Sequence, residues 1–401
     1  MDWGVKLGIE GYPGYRFVVR MGIITSGSLL GPMVLGSAVL GGIRWKDVTA
    51  DVQGATAERG GSSTSRPKAG ELNLRLLNQD QKYSPYKSTF HGPGSLIQVL
   101  VHNGTNVYSQ FVGITQSWNE TSEGLTAYEW VDIVAWEGLF LWNDVDENAL
   151  VTPVGGGETL EKRVDRLATK VNYTFSYDVV HRPNVGTLQA TNLSQDMATE
   201  LYLTMDSLEC MVYCGKDGVL KIRDRATGNG RSWFIGADHY NPDLLVTQND
   251  DAKILASIDL ARVGGTAVTY VNSGVAGRYQ KRSTKRTDMI TVAEGSDADL
   301  ARVAAGILGR SVQTYRPESV MVESGQASPT SWTNNIQVLI EGEICDRLTI
   351  HHPVSNNIQH VVFSNYNIVG LRHGWTVSAR GVYWSGQLIL DGEVDASWAL
   401  M

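Results

Sequence analysis

Cysteine is scarce in this 401-residue chain: three residues, an odd number that cannot pair fully within one polypeptide and too few to build a disulfide scaffold. Charge is sparse as well, at 19% of residues, and it leans acidic, with 34 Lys and Arg against 42 Asp and Glu for a net of −8. A chain of that sign lacks the basic face with which a sequence-reading nucleic-acid binder grips phosphate. Disorder is excluded from the other side, because 42% of residues are hydrophobic, enough to fill real cores. The compact catalytic signatures are missing too: the sequence holds no His-Glu-x-x-His, Walker A loop, Rossmann glycine fingerprint or Gly-x-Ser-x-Gly elbow. Nor is there an unbroken hydrophobic run. Met21 to Ile43 carries no charge between Arg20 and Arg44, yet six glycines, Pro32 and several hydroxyl residues cut it into short apolar pieces. It starts late and lacks one continuous apolar region, so it does not read as a signal peptide. Loop with short strands is expected there, in a soluble protein without a membrane span.

What is abundant is glycine, with 43 residues, and strand-like alternation. Length alone suggests two or three domains. Leu72-Asn73-Leu74-Arg75-Leu76 has period two and places three leucines on one face of a half-buried strand. Leu96 to Val101 is a nearly continuous apolar run, followed by Asn103-Gly104, a hairpin signal, and a returning strand from Val107 to Ile114. Tyr128 to Trp136, rich in β-branched and aromatic residues, reads as another strand. Strands at this spacing fit a small barrel or sandwich.

The period changes after Gly155-Gly156-Gly157. Thr159 is placed to cap a helix with Leu160, Val164, Leu167 and Val171 on one face. A second helix is predicted from Ser194, striped by Met197, Leu201, Met205 and Leu208; Met211 to Tyr213 and Val219 to Arg223 then form a hairpin about Asp217-Gly218. A third helix falls within Thr291 to Arg310, with Ser296 and Asp299 resembling a capping box. The last stretch returns to strands: Ile336 to Ile340, Arg347 to Ile350, His360 to Phe363, Trp375 to Ala379 and Gln387 to Leu390. Two β-rich ends separated by a helical middle are expected.

Candidate chemistry is thin. Asp144, Asp146 and Asn148 resemble the start of a calcium loop, but Ala149 and Gly155 stand where it needs Gly and Glu, so a solvated acidic turn is expected. Cys345, His351, His352, His360 and His373 offer zinc-type ligands at spacings of no standard module, and Cys210 and Cys214 likewise. Carboxylate pairs of the kind used in glycoside hydrolysis can be drawn from Asp250 and Asp251, Glu341 and Glu343, or Asp391 and Glu393, as from any acidic protein. Lys281-Arg282-Ser283-Thr284-Lys285-Arg286 is the one concentrated basic run, read as a solvated loop or as a contact with an acidic partner. Trp118, Trp130, Trp136 and Trp142 suggest a sugar-stacking platform, a barrel core or a subunit interface, the last two being favoured.

The order of these features resembles a known family. Leu29-Leu30-Gly31-Pro32 to Gly41-Gly42, then Trp45-Lys46-Asp47-Val48-Thr49-Ala50-Asp51-Val52, Arg59-Gly60-Gly61, Ala69 to Leu74, Leu77-Asn78 and Tyr83-Ser84-Pro85-Tyr86 are similar to the opening of minor tail proteins of long-tailed phages infecting actinobacteria. Phe111-Val112-Gly113-Ile114 with Trp118, the stretches Thr159 to Leu167 and Met197 to Arg225, Ser273 to Gly277, Asp297 to Leu308, and His351-His352-Pro353 to Val377 extend the likeness over nearly the whole chain. The resemblance implies a tail-tip (baseplate) hub, akin to the trimeric hubs of contractile-tailed phages. The expected fold is β-rich α+β: two tail-tube-like antiparallel β-barrels with a smaller α+β insert and about three helices. On that plan residues 1–44 are a glycine-rich N-terminal segment, 45–155 the first barrel, 156–232 the insert, 233–324 a connecting α+β domain and 325–401 strands of the second barrel.

The implied role is structural: a homotrimer that closes the tail tube, meets the distal tail protein ring, the tape-measure protein and other tail-tip or fibre proteins, and passes DNA without holding it. An acidic lumen suits that passage, since a basic wall would trap phosphate through counterion release. The implied location is the tail tip of the virion, with synthesis in the host cytoplasm. No enzyme activity, cofactor, metal, or catalytic or cofactor-binding residue is expected. Because the sequence stops at Met401, host binding and wall digestion are expected of other chains. The alternatives are a distal tail ring or peripheral tail protein, a cell-wall hydrolase with an unrecognised site, and a carbohydrate-binding adhesin using Trp118 or Trp142.

Overall fold

The computed structural model describes residues 7–10, 12–24, 43–61, 68–84, 87, 92–123, 128–143, 153–171, 173, 175–180, 186–192, 197–236, 240, 245–249, 254–277, 282–292, 298–311, 315–324, 332–353 and 360–391. Strands come first: β1 (Leu7–Ile9), β2 (Tyr12–Ile24), β3 (Ile43–Asp47), β4 (Val52–Gly60), β5 (Lys68–Leu77), β6 (Leu96–His102), β7 (Val107–Glu123) and β8 (Tyr128–Trp136). The middle holds α1 (Leu160–Lys170), β9 (Tyr177–Val180), α2 (Met197–Ser207), β10 (Cys210–Cys214) and β11 (Leu220–Asp224). Then follow β12 (Ser232–Ile235), β13 (Leu245–Asn249), β14 (Ser257–Arg262), β15 (Val268–Val271), α3 (Ser273–Ala276), β16 (Ser283–Met289), α4 (Ala298–Arg310) and β17 (Tyr315–Glu323). The last elements are α5 (Trp332–Glu341), β18 (Arg347–Pro353), β19 (His360–Ser378) and β20 (Gly381–Asp391).

Fourteen strands share one sheet, in the order β12-β18-β19-β4-β5-β8-β7-β6-β2-β1-β20-β17-β13 with β3 on β2; β19 also pairs with β20. The β19–β20 pairing links the strands from β19 through β4 and β1 to β20 into a ring, from which β18-β12 and β17-β13 branch, and most neighbours are antiparallel. Its inner face is the main core, to which β5 contributes Leu72, Leu74 and Leu76, all buried, while Asn73 and Arg75 point to water as their alternation requires. Two three-stranded sheets stand apart, β10-β11-β9 and β15-β14-β16. Against the first pack α1 and α2, with Trp142, Leu160, Val164, Leu167, Leu201 and Met205 in a second core. Against the other packs α4, through Leu300, Val303 and Leu308.

Helix α1 begins where its cap dictates: Thr159 has extended φ/ψ and its hydroxyl accepts from the Lys162 amide at 3.5 Å. Strand β10 welds the smaller sheet to the large one. All five of its residues are buried, with Cys210, Val212 and Cys214 in the second core and Met211 and Tyr213 in the first.

Several expectations require correction. The described residues hold five helices, not about three. Ile336 to Ile340 is not a strand but the buried side of α5, which lies against β17, β12 and β7; a short apolar run looks alike in either conformation. His360 to Phe363 and Trp375 to Ala379 are not separate strands: they belong, as far as Ser378, to the single β19, which pairs with β18 over its first part and with β4 over its last. Gly370 within it permits a close approach, since a Cβ there would stand 2.5 Å from the Gly61 carbonyl oxygen. The basic run is not a loop from Ser283 onward but strand β16. Ser296 and most of Met21 to Ile43 lie outside the described residues.

Candidate functional site

Strand β4 alternates Ala55, Ala57 and Arg59 inward, so an arginine occupies the third core-facing position behind two small side chains. Burying a guanidinium is costly unless it is paired, and here every branch is paired. Nε donates to Glu137 Oε1 at 2.5 Å, Nη1 to Glu343 Oε1 at 3.1 Å, and Nη2 to the Cys214 carbonyl. Glu137 stands just past β8, at the start of a 3-10 turn (Gly138–Trp142), and its second oxygen accepts from the Gly70 amide at 3.0 Å. A Cβ on Gly70 would fall 2.4 Å from that oxygen, so only glycine leaves the carboxylate room. Glu343, in the turn between α5 and β18, accepts from the Lys216 amide at 2.8 Å. Lys216, in the β10–β11 turn, sends Nζ to the carbonyls of Leu339 at 2.6 Å and Ile340 at 3.1 Å, a cation on the C-terminal end of α5.

The charges in this knot tune one another. Burial first, and then the Glu343 charge, push the Glu137 carboxyl up to about 7 against the pull of Arg59. Burial pushes Glu343 the same way, but Arg59, Lys221 and Lys216 outweigh it and hold Glu343 below the usual carboxylate range. Lys216 is driven down to about 7 by burial. The Arg59 guanidinium loses by burial and gains more from Glu343 and Glu137, so it stays charged. Beside the knot opens a cleft of about 580 Å³, walled by Tyr108, Lys216, Lys221, Arg223, Asn229 and Asp346. Two of its cations already have partners, Lys221 on Asp217 at 3.1 Å and Arg223 on Asp178 at 2.6 Å. The arrangement interlocks β4, β8, the β10–β11 turn and α5.

Among the described residues, those singled out in the sequence do not converge on a site. His373 is buried between Trp375 and Trp384, accepting from Trp384 Nε1 at 3.1 Å, while His351 faces the Phe234 ring. The Cys345 sulfur lies 3.3 Å from Met211 Sδ, and all three cysteines are buried free thiols. Burial raises Cys210 and Cys345 to about 12, which leaves no thiolate at neutral pH. Among the described residues no three His, Cys, Asp or Glu side chains gather to hold a metal ion. Glu343 is spent on the knot, whereas Glu341 is half-buried and accepts from Gln337 at 3.3 Å. Asp391 is buried at the end of β20, 3.9 Å from Arg310. Asp144, Asp146, Asn148, Asp250, Asp251, Lys281 and Glu393 lie outside the described residues.

The tryptophans divide. Trp142 fills the second core against Tyr173, and Trp118 packs on the first with its Nε1 donating to the Tyr83 carbonyl at 3.1 Å. Trp130 and Trp136 share a face of β8 as their spacing requires, but it is the half-exposed face, opposite Val131, Ile133 and Ala135. Arg286 of the basic run pairs with Asp206 at 3.0 Å. Sequence reading missed Arg59, Glu137 and Lys216; the signal for Arg59 was its inward place in the Ala55, Ala57, Arg59 alternation.

No protein-family model matches the sequence, and no curated protein matches it. Solved structures do. The tail protein from Neisseria meningitidis MC58 superposes with a TM-score of 0.58 at 11% identity, over 94% of this chain and 96% of that one. The 43 kDa tail protein of prophage MuSo2 from Shewanella oneidensis gives 0.56 at 14% identity, over 95% and 99%. This chain has the fold of phage tail proteins. A type VI secretion component of E. coli, described as structurally similar to the T4 tail proteins gp27 and gp5, gives 0.50 at 9% identity over 86% and 74%. No helix among the described residues is long and apolar enough to cross a membrane.

Proposed function

We propose that the protein is a structural, non-enzymatic hub of a phage tail tip. The observation that carries this reading is the superposition of nearly the whole chain on a prophage tail protein of nearly the same extent. On this reading the fourteen-stranded sheet comprises two tail-tube-like barrels, the first built around β2 and β4 to β8 and the second around β12, β13 and β17 to β20. The long β19 serves both, pairing with β18 and then with β4. The chain divides into segments 1–44, 45–155, 156–232, 233–324 and 325–401. Three copies, each with two barrels, present six similar faces and so reconcile a threefold tip with a sixfold tube. The hub closes that tube beneath the distal tail ring and the tape-measure protein, organises the other tip proteins, and lines part of the route by which DNA leaves. Its place is in the virion. Deleting the gene from a propagating phage tests this: tails fail to assemble, and supplying the protein restores them. Normal tails in its absence would refute the proposal.

A further inference from the structure

The turn between β6 and β7 holds an arrangement that structural service does not use. Asn103 and Gly104 follow His102, and Asn103 N donates to the Asn106 carbonyl at 3.1 Å to close the hairpin. Gly104, at φ +90°, is exposed, and its amide donates to His102 Nδ1 at 3.3 Å. The Asn103 side-chain oxygen accepts from two backbone amides, Thr105 N at 3.1 Å and Asn106 N at 2.8 Å. Its Nδ2 lies 3.5 Å from the Tyr108 hydroxyl. Asparagine followed by glycine undergoes cyclisation when the glycine nitrogen attacks the side-chain amide carbon. That reaction needs a base on the attacking nitrogen and donors on the carbonyl oxygen that becomes an oxyanion. Here His102 stands as the base and the Thr105 and Asn106 amides stand as the donors.

We propose that Asn103–Gly104 is a self-modifying site, at which the fold drives conversion of Asn103 to aspartate and isoaspartate. The Gly104 N–Asn103 Cγ bond forms and the Cγ–Nδ2 bond breaks. The proton taken from Gly104 N by His102 Nδ1 passes to the leaving nitrogen, which departs as ammonia. Water then opens the succinimide at either carbonyl, giving aspartate or isoaspartate with no oxidant or reductant. The product adds a negative charge at the rim of the 580 Å³ cleft, which Val107 and Tyr108 help to line. Asn229–Gly230, the other Asn-Gly pair in the sequence, is built differently. Its side-chain oxygen also accepts twice, from Tyr213 at 3.1 Å and Arg223 at 2.9 Å, but its Nδ2 donates to Ile344 O at 2.7 Å and Asp346 at 2.9 Å, which ties down the nitrogen that would have to leave. The inference stands independently of the tail-hub reading.

The test is to hold the purified full-length chain at neutral pH, folded and in urea. Digestion and mass spectrometry then follow the exchange of amide for acid at residues 103 and 229, with isoaspartyl methyltransferase labelling as a second readout. The expected result is that Asn103 converts about tenfold faster or more in the folded chain than in the unfolded one, whereas Asn229 converts more slowly when folded. His102→Gln brings the folded Asn103 rate down to the unfolded rate and leaves the rate in urea unchanged. If that variant does not fold, the wild-type ratio at Asn103 decides alone. Asn103 converting no faster folded than unfolded, or a folded His102→Gln chain keeping the acceleration, would overturn the proposal.

Discussion

Arg59 is the side chain whose loss reaches furthest. Arg59→Met leaves Glu137 and Glu343 buried without their shared cation, which is expected to cost roughly 3 to 5 kcal/mol in urea or guanidinium unfolding. Adding Glu137→Gln to that variant is expected to recover part of the loss, because the carboxyl whose cation in the knot was Arg59 is then removed as a charge; no recovery would mean that packing, not charge, sets the cost. His373 makes a second prediction. Burial, and then the Lys216 and Arg59 charges, hold its pKa well below the ordinary 6.5. The folded state thus binds fewer protons than the unfolded state in that range. His373 therefore contributes stability that is complete above 6.5 and lost as pH falls toward the folded-state value. His373→Leu is expected to flatten the dependence of melting temperature on pH below 6.5; an unchanged slope would assign it to other groups.

At the scale of elements, β10 carries the connection between the two larger cores. Met211→Ala empties a site on the large-sheet side and Val212→Ala one on the insert side. Because one strand serves both cores, each variant is expected to lower a single cooperative transition seen alike by far-UV circular dichroism and tryptophan fluorescence. Two separated transitions would show that the insert unfolds on its own. Thr159→Ala, which removes the α1 cap, is expected to cost about 1 kcal/mol in the same measurement. The elements easiest to read in the sequence were those with a clean period and one wet face. The leucines of β5 and the stripe of α1 announce themselves because every second residue, or every third and fourth, must leave water. Helix α5 did not, because Ile336, Val338, Leu339 and Ile340 are all buried and the alternation that would separate helix from strand is erased. The residues between Phe363 and Trp375 carry no clean alternation, and Gly370 among them makes a long-range approach to Gly61 that no local rule contains. The knot was illegible for the same reason: Arg59 meets Glu343 across 284 positions of sequence.

For the molecule as a whole, the central claim is that paired barrels in one chain let a threefold cap mate with a sixfold tube. The acidic total and the sheet-dominated fold suit the proposed conduit wall, and the buried interlock ties the two larger cores together. The most direct measurement is cryo-electron microscopy of the tail tip with this protein labelled, viewed along the tail axis. Three copies about that axis, each contributing two barrel-like faces to the ring above, is the predicted result. Six copies in a ring, or a position on the side of the tail away from the axis, would contradict it.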